Sequence, residues 1–290
     1  MTATDHWTDG DAYERWIGRW SRLVGAEFVA WLDMPSDRRW LDLGCGTGAL
    51  TETLLATVAP ASVVGVDPSA WFVAHARATV RDPRASFVEG AADAIPLATA
   101  SVDAAVAGLV LNFIPDLRAG LAELRRVVAP GGMVAGYVWD YADRMELIRR
   151  FFDAAIELDP AAAPADEGSR FPICAPGPLG SAFTAAGFRD VDVRSIEVPT
   201  VFRDFDDFWT PFLSGIGPAP GYAMRLTEPD RAALRERLRE TLPIEPDGSI
   251  RLVARAWAVR GSTDGPSDDA TGAQAASGAP EATAGRGTAP

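Results

Sequence analysis

The sequence of 290 residues contains no lysine, so every basic side chain apart from two histidines is an arginine. Only two cysteines occur, Cys45 and Cys174, far apart and without metal-ligand spacing. That excludes a disulfide scaffold and a thiolate metal centre, and both read as free thiols of a reducing compartment. His6 and His75 are too few for a histidine-rich metal centre, so no metal is expected. No apolar run approaches the roughly 18 residues of a membrane span. The N-terminus, MTATDHWTDGDAYERW, lacks the basic start and apolar segment of a secretory signal. These absences point to the cytoplasm and to no membrane partner. Positive charge is also scarce overall: the net charge of −13 repels nucleic acid at long range and argues against a polyanionic partner.

What is present begins at Trp40-Leu41-Asp42-Leu43, an apolar strand pattern that runs into Gly44-Cys45-Gly46-Thr47-Gly48 and then into a helical pattern from Ala49 to Thr57. Glycines at alternate positions let the chain turn sharply and let a ligand approach the main chain. The free amides of the following helix face the same space. A dinucleotide fold uses the spacing G-x-G-x-x-G, because a pyrophosphate must sit there. Here the spacing is G-x-G-x-G, and Asp42 lies two residues before the first glycine. A carboxylate there repels a pyrophosphate and suits an ammonium or sulfonium group. S-adenosylmethionine (SAM) carries both cations and no phosphate.

A second apolar run, Val63-Val64-Gly65-Val66, ends in Asp67. An acid there is either a helix-start residue or the acceptor for two ribose hydroxyls. Its position, about 20 residues behind the glycine loop, favours the ribose.

The ordered series LDLGCGTG, VVGVDPS, FVEGAADAIPL, SVDAAVAGLVLNFIPD and APGG resembles the class I SAM-dependent methyltransferases of the ubiquinone-biosynthesis-like type, the methyltransferase type 11/25 family, over about residues 13–260. The resemblance implies a Rossmann-like doubly wound α/β sheet of seven strands, in the order 3-2-1-4-5-7-6 with strand 7 antiparallel. It implies that Asp42 lies near the methionyl amino group, that Gly44, Gly46 and Gly48 line the cofactor, and that Asp67 holds the ribose. The segment Gly90–Asp93 would flank the adenine, through Ala92 and Asp93. Most relatives have an acid where this chain has Ala91, so Asp93 or backbone amides take its place. In many relatives an N-terminal helix closes over the methionyl end. Tyr13 and Arg19 are the polar members near that face, and Arg19 is placed to pair with the cofactor carboxylate.

The periodicity independently alternates strand and helix, as a parallel sheet with crossovers requires. Strands are expected to end at Leu43 and Val66 and to span Ala85–Glu89, Val102–Val110, Met133–Val138, Val191–Val198 and Ile250–Val259. One domain is expected over residues 1–262, with a low-complexity tail over 263–290 that lacks aromatic and large aliphatic residues. Two insertions, about 144–176 and 199–248, interrupt the rhythm; long insertions beside strand ends build lids or substrate walls, or else an extra packing layer.

Methyl transfer from a sulfonium needs alignment and water exclusion more than acid–base help. The acceptor-side candidates are Asn112 after strand four, Asp140 and Tyr141 after strand five, and Trp209 with Phe208 and Phe212 in the second insertion. Each has an ordinary alternative as a cap or core residue. The function these features imply is transfer of a methyl group from SAM to a small, largely apolar acceptor in an enclosed pocket. The alternative is a SAM-binding protein without methyltransferase activity, acting as a regulatory or complex subunit. A dinucleotide-dependent oxidoreductase is disfavoured by the glycine spacing and by Asp42.

Overall fold

The computed structural model describes residues 18–215 and 217–265. His6, Tyr13 and the first turns of the expected N-terminal helix lie outside them.

Helix α1 (Arg19–Leu32) precedes the sheet and buries Trp20, Val24, Phe28, Val29 and Leu32 at helical spacing. The alternating unit follows as β1 (Arg39–Leu43), α2 (Ala49–Thr57), β2 (Ser62–Asp67), α3 (Ala70–Thr79), β3 (Ala85–Glu89), β4 (Val102–Gly108), α4 (Leu117–Val127) and β5 (Val128–Trp139). The first insertion holds α5 (Glu146–Leu158) and α6 (Glu167–Arg170), and α7 (Pro176–Ala185) leads into β6 (Arg189–Phe202). The second insertion holds α8 (Phe205–Trp209), α9 (Pro218–Arg225) and α10 (Glu228–Thr241), and β7 (Ile250–Ser262) closes the sheet.

The strand order is β3-β2-β1-β4-β5-β7-β6, as expected. The pairs from β3 through β5 are parallel, and β7 runs antiparallel to both β5 and β6. The parallel strands are covered by helices on both faces, which is why they read as continuous apolar runs. Leu41, Val63, Val66, Ala105 and Val134 are all buried.

Several boundaries differ from the expected ones. Strand β6 extends to Phe202, because its whole length pairs with β7 from Arg189↔Ser262 to Phe202↔Ile250. Helix α4 ends at Val127 and the chain enters β5 directly, five residues before the expected start at Met133. Gly132 is needed there because a Cβ would lie 2.5 Å from the Asp103 carbonyl oxygen. At the other end of the body, Thr263 and Asp264, assigned from composition to the tail, are held. The Thr263 amide donates to the Gly132 carbonyl (2.9 Å), and Asp264 pairs with Arg125 (2.6 Å) and Arg189 (2.7 Å).

The two insertions pack on each other. Phe151 of α5 stacks on Phe212 at 4.4 Å, and Phe208 packs edge-on against Phe202 of β6 at 5.3 Å. Together they form an extra aromatic layer continuous with the main core. Among the described residues no helix is long and apolar enough to cross a membrane.

Candidate functional site

β1 is flanked by β2 on one side and β4 on the other, so the chain reverses its winding direction there. Open α/β sheets form their ligand crevice at such a switch point, outside the carboxyl ends of the strands. An open cleft lies there, lined by Asp42, the Gly44–Thr47 turn, Asp67, Ser69, Phe72, Gly108–Val110, Phe113 and Tyr137, among others.

The turn is built by its glycines for different reasons. Gly44 has φ +68° and abuts Val110, whose Cγ2 would lie 2.5 Å from an added Cβ. Gly48 has φ +92° and abuts Val80. Gly46 also has positive φ (+51°), but an added Cβ would meet nothing within 4 Å. The space beside Gly46 is therefore free for a ligand to meet bare backbone. The amides of Gly44 and Cys45 both donate to the Val66 carbonyl, at 2.7 and 3.2 Å, which ties the turn to the end of β2.

Two carboxylates stand at this floor. Asp67 closes β2 and is 7% exposed. Its Oδ2 accepts the Gly46 amide at 3.0 Å and its Oδ1 accepts the Ser69 amide at 2.8 Å. Burial raises its pKa, and these two amides oppose the rise. Asp42, 1% exposed, accepts the Thr51 hydroxyl at 2.7 Å. Burial pushes its pKa up to about 6; the Thr51 hydroxyl and amide favour the charged form, and the neighbouring Asp67 disfavours it. Among the described cleft-lining residues none is basic. Among these described residues the recess is anionic without a counter-ion.

Cys45 belongs to the turn, but its sulfur points inward, into a small cluster with Val73, Ala76, Val80 and Phe87. Burial raises its thiol pKa, so it packs as a neutral apolar group. Leu109 carries φ +59°, a conformation rare for a bulky side chain. It is held there by its amide, which donates to the Tyr137 carbonyl at 2.8 Å.

Of the sequence-derived cofactor candidates, the fold brings together Asp42, Gly44, Gly46 and Asp67 around one cleft, with Gly48 supporting the turn from behind. Ala92 and Asp93 form the tight turn between Ala91 and Ala94, and neither lines the cleft; Asp93 is exposed. Arg19 points elsewhere. Its guanidinium lies over the rings of Trp20 (4.2 Å) and Phe202 (5.0 Å) and contacts Asp207 at 3.4 Å. Tyr13 lies outside the described residues.

The acceptor candidates fare differently. Asp140 is buried and paired with Arg255 at 2.6 Å, an ion pair that joins β5 to β7. Tyr141 is buried beside Phe171. Trp209, Phe208 and Phe212 are buried within the aromatic layer, away from the cleft. Their spacing reflects a core stripe: Phe208 packs on Phe202 of β6, and Phe212, just after α8, stacks on Phe151 of the first insertion. Asn112 sits in the single turn Leu111–Phe113 behind the cleft wall, with its Nδ2 buried and unpaired. Its neighbour Phe113 does line the cleft and touches Phe171 edge-on at 5.2 Å.

Residues not singled out from sequence are Ser21, Ser69, Phe72, Leu109, Val110, Phe113 and Tyr137. Phe72 and Ser69 had a readable signal, because both follow the β2 acid at the start of α3. Ser21 lies on the helix that the resemblance placed over the methionyl end, beside Arg19, whereas Tyr137 had no signal, since only tertiary packing brings β5 to the cleft. His75 stacks on exposed Trp71 and stays outside.

This arrangement is a Rossmann-like, doubly wound seven-stranded fold. Residues 41–136, from β1 into β5, match the family model described as a methyltransferase domain. It is similar to an uncharacterized methyltransferase of Mycobacterium tuberculosis, 39% identical over 132 residues, 46% of this chain and 50% of that protein. It is 37% identical over 110 residues to the demethylmenaquinone methyltransferase of a Roseiflexus species, 38% of this chain and 46% of that one. The chain spans about half the length of these curated relatives. The fold matches the phosphoethanolamine N-methyltransferase 2 of Haemonchus contortus, solved in complex with SAM, with TM-score 0.54, 16% identity, and 88% of this chain and 56% of that chain covered.

Proposed function

We propose that this protein transfers a methyl group from SAM to a small-molecule acceptor. The observation that carries the reading is the pair Asp42 and Asp67 at a glycine turn whose cleft has no basic side chain among its described residues. Such a recess favours a ligand with cationic groups and hydroxyls and disfavours a pyrophosphate.

The residues fit the cofactor. Asp42 would face its ammonium group, and Asp67 would accept its ribose hydroxyls with the lone pairs not used by Gly46 and Ser69. Gly46 would offer bare backbone, and Phe72 would give an apolar wall beside Asp67. When bound, SAM supplies an electrophilic methyl group, so the chain need only align the acceptor and exclude water. The described cleft residues match that demand: apart from the carboxylates they are mostly apolar or glycine, and no histidine is among them. Phe113, backed by Phe171 of the first insertion, is the wall toward which the acceptor would lie. A small acceptor accords with the cleft's size and with the net charge of −13.

Isothermal titration of the purified chain with SAM and with NAD tests the cofactor. Micromolar binding of SAM and none of NAD is expected; the reverse would overturn the reading. A screen with methyl-labelled SAM against small phenols, quinols, amines and carboxylic acids tests the transfer. SAM binding with no labelled product from any acceptor class would favour the non-catalytic binding role.

A further inference from the structure

We infer that Thr51, which does not line the cleft, is a positioning residue: its hydroxyl fixes the Asp42 carboxylate at the cleft floor and binds it preferentially as an anion. The inference rests on the cofactor reading above, in which Asp42 meets the ammonium group of the ligand.

Thr51 breaks the habit of its own helix. Threonine hydroxyls within a helix commonly bond back to the carbonyl one turn earlier. In α2, Thr53 does so toward Ala49 (3.0 Å) and Thr57 toward Thr53 (2.6 Å). Thr51 instead turns toward β1 and donates to Asp42 Oδ2 at 2.7 Å, with neither residue more than 1% exposed. It is the third residue of α2, whose N-cap is Gly48, so its amide lies in the first turn, where unpaired N–H groups favour negative charge.

The surroundings give Asp42 no other described help. Asp67 on β2 opposes its charge, and the Cys45 thiol in the turn stays neutral. β4 places Val106 beside it, α1 contributes Ser21 to the cleft and β5 contributes the Tyr137 phenol; none carries positive charge. Burial holds Asp42 near pKa 6 in the face of these effects, with the Thr51 hydroxyl the largest opposing influence. Without it, a larger share of Asp42 would be protonated near neutrality and unable to meet an ammonium group as an anion.

The test is SAM titration of wild type, Thr51→Val, Thr51→Ser and Asp42→Asn between pH 5.5 and 8.5, with thermal melts as a folding check. Thr51→Val is isosteric and lacks the donor. It is expected to bind about twofold more weakly at pH 7 and nearly tenfold more weakly at pH 5.5, with the deficit gone by pH 8.5 as Asp42 ionises regardless. The midpoint of its affinity curve should rise by about one pH unit, and Thr51→Ser should follow wild type. A Thr51→Val curve equal to wild type, or lowered equally at every pH, would overturn the inference, since the latter is a packing defect. If Thr51→Val does not fold, Asp42→Asn decides: a flat profile supports the assignment of the pH dependence to Asp42, and an unchanged profile overturns it. Wild type that binds no SAM at any pH would instead overturn the cofactor reading, and this inference with it.

Discussion

The Asp67 carboxylate bridges the glycine turn: its Oδ2 accepts the Gly46 amide at 3.0 Å from across the cleft floor. The residue assigned to the ribose therefore also pins the turn that the ligand must meet. Asp67→Ala should cost both stability and affinity. Loss of the buried acceptor leaves two amides unpaired, worth about 1–3 kcal/mol of stability. Asp67→Asn, which keeps one acceptor oxygen, should recover part of the stability and little of the SAM affinity. Melting curves beside calorimetry check the split, and a variant with wild-type affinity would remove Asp67 from the site.

Asp42 makes the ligand-free protein pay for its function in a pH-dependent way. Its folded pKa is raised to about 6 from the ordinary 3.8. Between those values the folded chain binds more protons than the unfolded one. The penalty is therefore relieved as pH falls from 6 toward 4 and fully present above 6. Asp42→Asn should stabilise the ligand-free protein at pH 7.5 by about 3 kcal/mol, with the gain vanishing near pH 4. Denaturant titrations of the two proteins at both pH values measure it. A gain that is absent at pH 7.5 would count against the buried, charged Asp42.

Gly44 and Gly46 should respond oppositely to alanine. Gly44→Ala drives a methyl group into Val110 and forces a left-handed alanine, a combined cost of several kcal/mol. Gly46→Ala meets no atom, so only the backbone penalty of about 1–2 kcal/mol applies. Its methyl projects into the free space of the cleft, and SAM affinity should fall at least tenfold while the fold persists. Comparing Tm with Kd for the two variants would show the crossing; equal behaviour would remove the distinction between support and contact.

Trp209→Ala should act on the core. Trp209 is 5% exposed and packs on Phe212 at 6.0 Å within the layer between the insertions. Truncation is expected to lower stability by about 3–5 kcal/mol and to leave SAM affinity unchanged wherever the protein is folded. A stable variant with altered acceptor turnover would return this residue to the acceptor site.

The strand-glycine-helix unit and the β2 acid were legible because their constraints are local. A left-handed turn needs glycine at particular positions, and a buried parallel strand needs a short apolar run. Strand alternation followed from period, and the order β3-β2-β1-β4-β5-β7-β6 followed from resemblance to a family. Asp140 and Trp209 could not be placed from sequence, because an acid after a strand and an aromatic stripe on a helix look alike in a pocket and in a core. Only the partner decides: Arg255 lies 115 residues from Asp140 along the chain, and Phe212 meets Phe151 across two separate insertions. The same holds for Thr51. Its sequence offers a helical threonine like Thr53 and Thr57, and only the packing of α2 against the end of β1 turns its hydroxyl toward Asp42. Local backbone chemistry is written in consecutive residues, whereas the ionisation of a buried group depends on neighbours that only the folded chain brings into contact.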